Sequence, residues 1–152
     1  MTSSVLPSTP DAPGDATART LLFRVGETIY GTDIADIREV IPYRRVTRLP
    51  GAPACVQGLV NLRGTLVTVI DLGQRLDAAR PPVRRGSILI AAVGPRIAGI
   101  AVDDVMDVRT VQADELTAAG TTFDGLVRGL GHSAHQVVIL IDIPTLVQHV
   151  LL

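Results

Sequence analysis

A chain of 152 residues that is 47% hydrophobic has the material for one compact core or for two small lobes sharing one. With 3% aromatics and no Trp, that interior must be Val, Ile, Leu and Ala. A net charge of −1, with fourteen Arg and no Lys, argues against a general nucleic-acid binder, which needs a basic surface to release phosphate counterions. A single Cys excludes an internal disulfide and suits a reducing compartment, and no run reaches the roughly 18–20 apolar residues that span a bilayer.

Residues 1–18 are rich in Pro, Ser, Thr, Ala and Asp without hydrophobic periodicity and read as a flexible tail. They lack a basic start followed by an apolar run, so no secretory signal is expected and the protein reads as cytoplasmic. Thr20–Val25 and Thr28–Ile34 read as a hairpin turning at Gly26-Glu27, followed by Ala35–Val40 and a segment broken by Pro42, Pro50, Gly51 and Pro53. Cys55–Leu59 is expected as a short helix or turn, with Cys55 as a buried inert thiol, and Thr65–Leu72 as an apolar, β-branched strand. Gln74–Arg85 is polar and proline-bearing, a natural connection. Strands follow at Ser87–Val93 and Ile97–Val102 about a turn at Gly94-Pro95. A run at Asp104–Val111, a loop of Ala, Gly and Thr, and a strand at Val137–Ile143 lead to a last helix, Pro144–Leu152, with Pro well placed in its first turn.

This order is written twice. Leu22–Val40 aligns without a gap on Ile90–Val108 at an offset of 68, pairing Val25 with Val93, Gly26 with Gly94, Gly31 with Gly99, Asp36 with Asp104 and Glu39 with Asp107. At an offset of 71, Gly58-Leu59 pairs with Gly129-Leu130, and Val67–Leu72 with Val138–Ile143. Positions shared by both halves point to architecture, and positions present in one half are candidates for function. Many short strands with Gly/Pro turns, duplicated, predict an all-β protein of two small barrels, with repeats over about residues 20–80 and 87–152.

One segment is not repeated. After Gly58-Leu59 the first half has Val60-Asn61-Leu62-Arg63-Gly64, where the second has Gly131-His132-Ser133-Ala134-His135. Asn and Gly tolerate the backbone angles of a tight turn, which throws Arg63 outward or into a cleft. A plain hairpin with a solvated Arg is the alternative reading.

The stretch Gly58-Leu59-Val60-Asn61-Leu62-Arg63-Gly64-Thr65 through Asp71-Leu72 resembles the central signature of CheW-like domains, the adaptors of bacterial chemosensory arrays. Tyr30–Ile34 and Ile37–Val40 resemble the family's early strand pair, Thr47–Pro50 with Pro53 its Thr-x-Ile-Pro-x-x-Pro stretch, and Gly99–Val105, Gly129–Gly131 and Leu140–Ile143 follow in family order. The resemblance covers about residues 20–151, and the CheW-like domain is expected over 19–152. It implies two SH3-like five-stranded β-barrel lobes around a shared apolar core, with short helices including one at the C-terminus, and strands that cross between lobes near the ends. It implies no catalytic activity and no cofactor. Partners would be a CheA-type histidine kinase, through its regulatory domain, and the cytoplasmic tip of methyl-accepting chemoreceptors. The protein would be recruited to receptor arrays through these partners, monomeric in isolation, without nucleic acid or membrane insertion. Two departures, the short Leu116–Val127 stretch and Pro42 after Glu39-Val40-Ile41, leave a second reading open: a scaffold of a paralogous signalling system that binds or sequesters the kinase without bridging to receptors.

Within that frame Ile37, Glu39, Gly58, Asn61, Leu62 and Arg63 are the candidate partner-binding residues. Arg63 leads, because its planar fork can bond receptor carboxylates or backbone carbonyls. Ile37, expected at the end of the second strand, is an apolar contact or a core residue like its counterpart Val105. Glu39 pairs within the fold, with Arg38 or Arg63, or meets a partner. Gly58 matches Gly129, so backbone geometry is its default account. His132 and His135 are too few for a structural zinc site, and Asp103-Asp104 point to opposite sides of a strand, so neither pair predicts metal or catalysis. Arg38, Arg44, Arg45, Arg48 and Arg63 gather in the first half and Asp103, Asp104, Asp107, Asp114, Glu115 and Asp124 in the second, either as solvated faces or as steering for partners.

Overall fold

The computed structural model describes residues 17–113, 125–133 and 135–151. The tail expected over residues 1–18 lies outside them apart from Thr17 and Ala18, which begin the first strand, and the loop expected between Leu116 and Val127 lies outside them up to residue 124. Two-residue turns define the hairpin of β1 (Thr17–Val25) and β2 (Thr28–Asp33). The Asp33 side chain then accepts the Ala35 N–H at 2.9 Å and caps a single 3-10 turn, Ile34–Asp36, which redirects the chain into β3 (Ile37–Pro42). An irregular strap, residues 43–55, precedes β4 (Val56–Leu62), β5 (Thr65–Asp71) and the short helix α1 (Leu72–Leu76). The second half repeats the order as β6 (Ser87–Val93), β7 (Arg96–Val102), β8 (Asp104–Ala113), β9 (Val127–Ser133), β10 (Gln136–Ile141) and α2 (Ile143–Leu151).

Three elements differ from the sequence expectation. Of Cys55–Leu59 only Cys55 lies in a turn; from Val56 it is strand, because Val56, Gly58, Val60 and Leu62 alternate inward and the ladder to β5 supplies the backbone partners. Val127–Ser133, whose Gly129 and Gly131 disguise it as loop, is also strand, paired with β10. Ile37 opens β3 instead of closing β2, since the 3-10 turn intervenes.

The two halves exchange hairpins. One lobe is a closed barrel in the order β1-β2-β10-β9-β8; the other is a five-stranded sheet in the order β3-β6-β7-β5-β4. Each lobe therefore takes the first hairpin of one repeat and the last three strands of the other. The exchange keeps register: Ile139 pairs with Tyr30 and Leu140 with Gly31 in one parallel ladder, and Thr68 with Ala98 and Val69 with Gly99 in the other. These are the same positions once the two offsets are applied. Likewise Leu22 pairs with Asp107, and Ile90 with Glu39.

One apolar cluster spans both lobes. It joins Phe23 and Tyr30 of the closed lobe, whose rings stack at 5.9 Å, with Val67, Val69, Ile88, Ile90 and Ile100 of the other, and with Leu126, Ile143 and Leu146 at the base of α2. A smaller cluster of Leu22, Val111 and Val138 fills the closed barrel. Because most of the apolar interior is common to both lobes, they form one body rather than two beads.

Candidate functional site

The lobes differ at one seam. In the closed lobe β8 pairs with β9 through Gln112 with His132 and Ala113 with Gly131, completing the barrel. The corresponding seam, β3 to β4, has no strand ladder. β3 ends at Pro42, which has no N–H to offer. In place of the ladder, the Arg44 guanidinium donates to the Asn61 carbonyl at 2.9 Å. A hollow of about 250 Å³ opens there, with Ile97 and the edge of Leu62 as its accessible apolar lining over the fully buried Val67 and Ile90, and Arg38, Glu39, Arg63 and Thr65 as its polar one.

Arg63 is placed by a strained turn. Leu62 pairs with Thr65 across a two-residue loop, and both loop residues have positive φ, 51° at Arg63 and 88° at Gly64. Such a primed turn matches strand twist and favours Asn or Gly at its first position. An Arg held there costs about 1–2 kcal/mol. The Asn61 side chain offsets part of this by accepting the Gly64 N–H at 2.8 Å. The Arg63 side chain is 68% exposed and its guanidinium meets the Glu39 carboxylate, which is 28% exposed. An ion pair so open to water contributes on the order of 0–1 kcal/mol to stability, so it orients the arginine more than it holds the fold.

The six candidate residues do not form one patch. Glu39, Leu62 and Arg63 line the hollow. Leu62 is 8% exposed and belongs to the core, and Ile37 packs against that core opposite Ala91. Asn61 builds the turn. Gly58 is buried beneath the strap, where Thr47 and Leu59 exchange backbone hydrogen bonds at 2.8 Å each way. Its φ is 143°, and a Cβ there would sit 2.0 Å from the Thr47 carbonyl oxygen. Sequence reasoning missed Arg38, Arg44, Thr65, Val67, Ile90 and Ile97. Ile90 and Ile97 belong to the second repeat and reach this lobe only through the hairpin exchange.

Reactive chemistry is scarce around the strap. Burial pushes the half-buried Cys55 thiol up from its ordinary value, which keeps it protonated and a poor nucleophile. In the closed lobe the counterpart of Glu39, Asp107, is paired with Arg109 at 3.1 Å, and that hydrogen bond together with the Val108 N–H holds its carboxyl below the usual range. His132 and His135 are exposed on the β9–β10 hairpin, and among the described residues no three His, Cys, Asp or Glu are gathered to hold a metal.

Comparison with known proteins fits this geometry. Residues 19–151 match the CheW-like domain, and the chain belongs to that family. The chemotaxis protein CheW of Klebsiella aerogenes is 34% identical over 133 residues, covering 83% of this chain and 79% of its own. The chemotaxis protein CheW of Rhizobium meliloti is 40% identical over 93 residues, 60% of this chain and 59% of its own. The crystal structure of the scaffolding protein TtCheW from Thermoanaerobacter tengcongensis has a TM-score of 0.72 to this fold at 30% identity, covering 82% of this chain and 88% of that one.

Proposed function

We propose that the protein is a non-catalytic chemosensory adaptor that couples methyl-accepting chemoreceptors to a CheA-type histidine kinase, and that the hollow at the open seam is one of its partner surfaces. The observation that carries this reading is Arg63: a long cation kept exposed on a turn whose backbone disfavours it and oriented by Glu39 across the open seam, whereas the matching turn of the other half places His135 at φ 73°. Strain retained at an exposed position points to function. Arg63 and Glu39 offer a partner a paired cation and anion beside an apolar floor. Leu62 adds to the lining of the hollow, while Asn61, Gly58 and Ile37 set the height and angle of that pair. Among the described residues no helix is long and apolar enough to cross a membrane, which suits a cytoplasmic monomer brought to receptor arrays by its partners.

The test is co-sedimentation of the purified protein with receptor-tip assemblies and the kinase of its own organism. Wild type should carry kinase into the pellet and Arg63→Glu should not. Kinase binding with no receptor binding would instead make the protein a kinase-side regulator, the role the Pro42 departure leaves open.

A further inference from the structure

We infer that a second cleft, independent of the Arg63 hollow, binds an extended acidic peptide of a partner protein. The cleft lies where the strap of residues 43–55 faces the connection between the repeats, and it encloses about 600 Å³. Arg45, Arg48 and Arg84 rim it, Leu49, Pro53 and Pro82 form its apolar walls, and no carboxylate lines it. The two linings share no residue.

Two properties point to the ligand. Arg45, Arg48 and Arg84 are exposed, and among the described residues none of them forms a hydrogen bond or ion pair, unlike Arg24, Arg44, Arg63, Arg96 and Arg109. Three guanidinium groups on one cleft without a carboxylate in its lining set up a positive potential that an acidic ligand would neutralise, each fork matching one carboxylate. The strap also carries free main-chain groups. Over residues 44–52 the backbone hydrogen bonds among the described residues are the Thr47–Leu59 pair and Ala52 N–H to Leu49 at 3.2 Å. A small anion would leave those groups and the proline-lined walls unused; an extended peptide would use both, its main chain against the strap and alternate side chains against the walls and the arginines. The floor is already rigid, since the Tyr43 hydroxyl donates to Gln57 at 2.8 Å and the Gln57 amide to Asp71 at 2.9 Å. The cleft has no duplicate, because the chain has only one connection between repeats.

The experiment is fluorescence anisotropy with a fluorescein-labelled peptide of alternating Glu and Leu, about eight residues long, enough to span the cleft. Wild type, Arg63→Glu, Arg84→Gln and the triple variant Arg45→Glu/Arg48→Glu/Arg84→Glu are titrated, each with its thermal midpoint. All three substituted positions in the cleft are exposed, so the midpoints should stay together. The expected result is saturable binding that weakens about 20-fold or more in the triple variant and about threefold in Arg84→Gln, and is unchanged in Arg63→Glu. It should also fall as NaCl rises from about 50 to about 300 mM. Equal affinity in wild type and triple variant would overturn the proposal. So would loss on Arg63→Glu, or full displacement by inorganic phosphate, which would make the cleft a small-anion site. Loss on Arg63→Glu would move the peptide to the hollow, and the other outcomes leave receptor coupling through Arg63 untouched, so the two readings fail separately.

Discussion

Equivalent positions in the two lobes do different jobs, and the contrast separates what the fold requires from what one lobe adds. Asp71 ends the last strand of its repeat and Asp142 follows the last strand of the other, and each caps the next helix. Asp71 is fully buried and accepts from the Gln74 N–H at 3.1 Å, the Gln57 amide at 2.9 Å and the Val83 N–H at 2.7 Å. Asp142 is half-buried and accepts the Thr145 N–H at 3.4 Å. The same aspartate is thus a cap in one lobe and, in the other, the anchor that ties strap, linker and helix together. The acids Glu39 and Asp107 diverge in the same way: one orients an arginine across an open seam, the other pairs two residues along its own strand. The cap is what duplication supplies; the anchor and the oriented arginine belong to the open lobe.

Substitutions sharpen this contrast unequally. Asp71→Ala removes a buried carboxylate and strands three donors, and should cost about 3–5 kcal/mol in urea unfolding. Asp142→Ala should cost about 1 kcal/mol, the worth of a cap. Similar losses would mean the lobes are equivalent after all. Arg63→Glu should weaken receptor coupling by about 2–5 kcal/mol in co-sedimentation while Arg109→Glu leaves it unchanged. Arg63→Gly should lose coupling with its thermal midpoint held or raised, since the left-handed strain goes with the side chain. Gly58→Ala forces a Cβ onto the Thr47 carbonyl and should cost about 2–3 kcal/mol, with hydrogen exchange rising at Thr47 and Leu59.

Two smaller effects probe the closed lobe. Thr32 is 1% exposed with its hydroxyl unpartnered among the described residues, where its counterpart in the other repeat is Ile100. Thr32→Val should therefore stabilise by about 1 kcal/mol. Burial first, then the nearby Asp33 and Asp142, raises the Asp36 carboxyl above its ordinary 3.8. A raised carboxyl contributes stability below that ordinary value and loses it as pH rises through the folded-state value. Asp36→Asn should therefore raise the melting midpoint slightly at pH 7 and leave it unchanged in acid below pH 3.8, a crossover that melts at the two pH values would show.

Much of this was legible in the residues. Identical offsets put Gly58 and Gly129 at φ of 143° and 149°, and Asp71 and Asp142 at helix starts. Asn61-Leu62-Arg63-Gly64 announced its turn through Asn and Gly. What stayed hidden depends on pairing between distant strands. Nothing local to Ile90 or Ile97 says that they floor a hollow beside Arg63, because that neighbourhood exists only after the hairpins change lobes. Nor does Arg44 announce that it spans a seam, since the missing β3–β4 ladder is visible only beside the completed β8–β9 one.

The exchange of hairpins also governs how the molecule comes into being on the ribosome. β2 finds its parallel neighbour in β10, the last strand among the described residues. The closed lobe therefore cannot assemble until β10 has emerged, and the open lobe must wait for β6 and β7. The nascent first half emerges with unpaired edges and must be kept from aggregating until the final strands appear. Because one apolar cluster spans both lobes, they should form together, and fragments cut between the repeats should be inert alone yet regain the native fold when mixed.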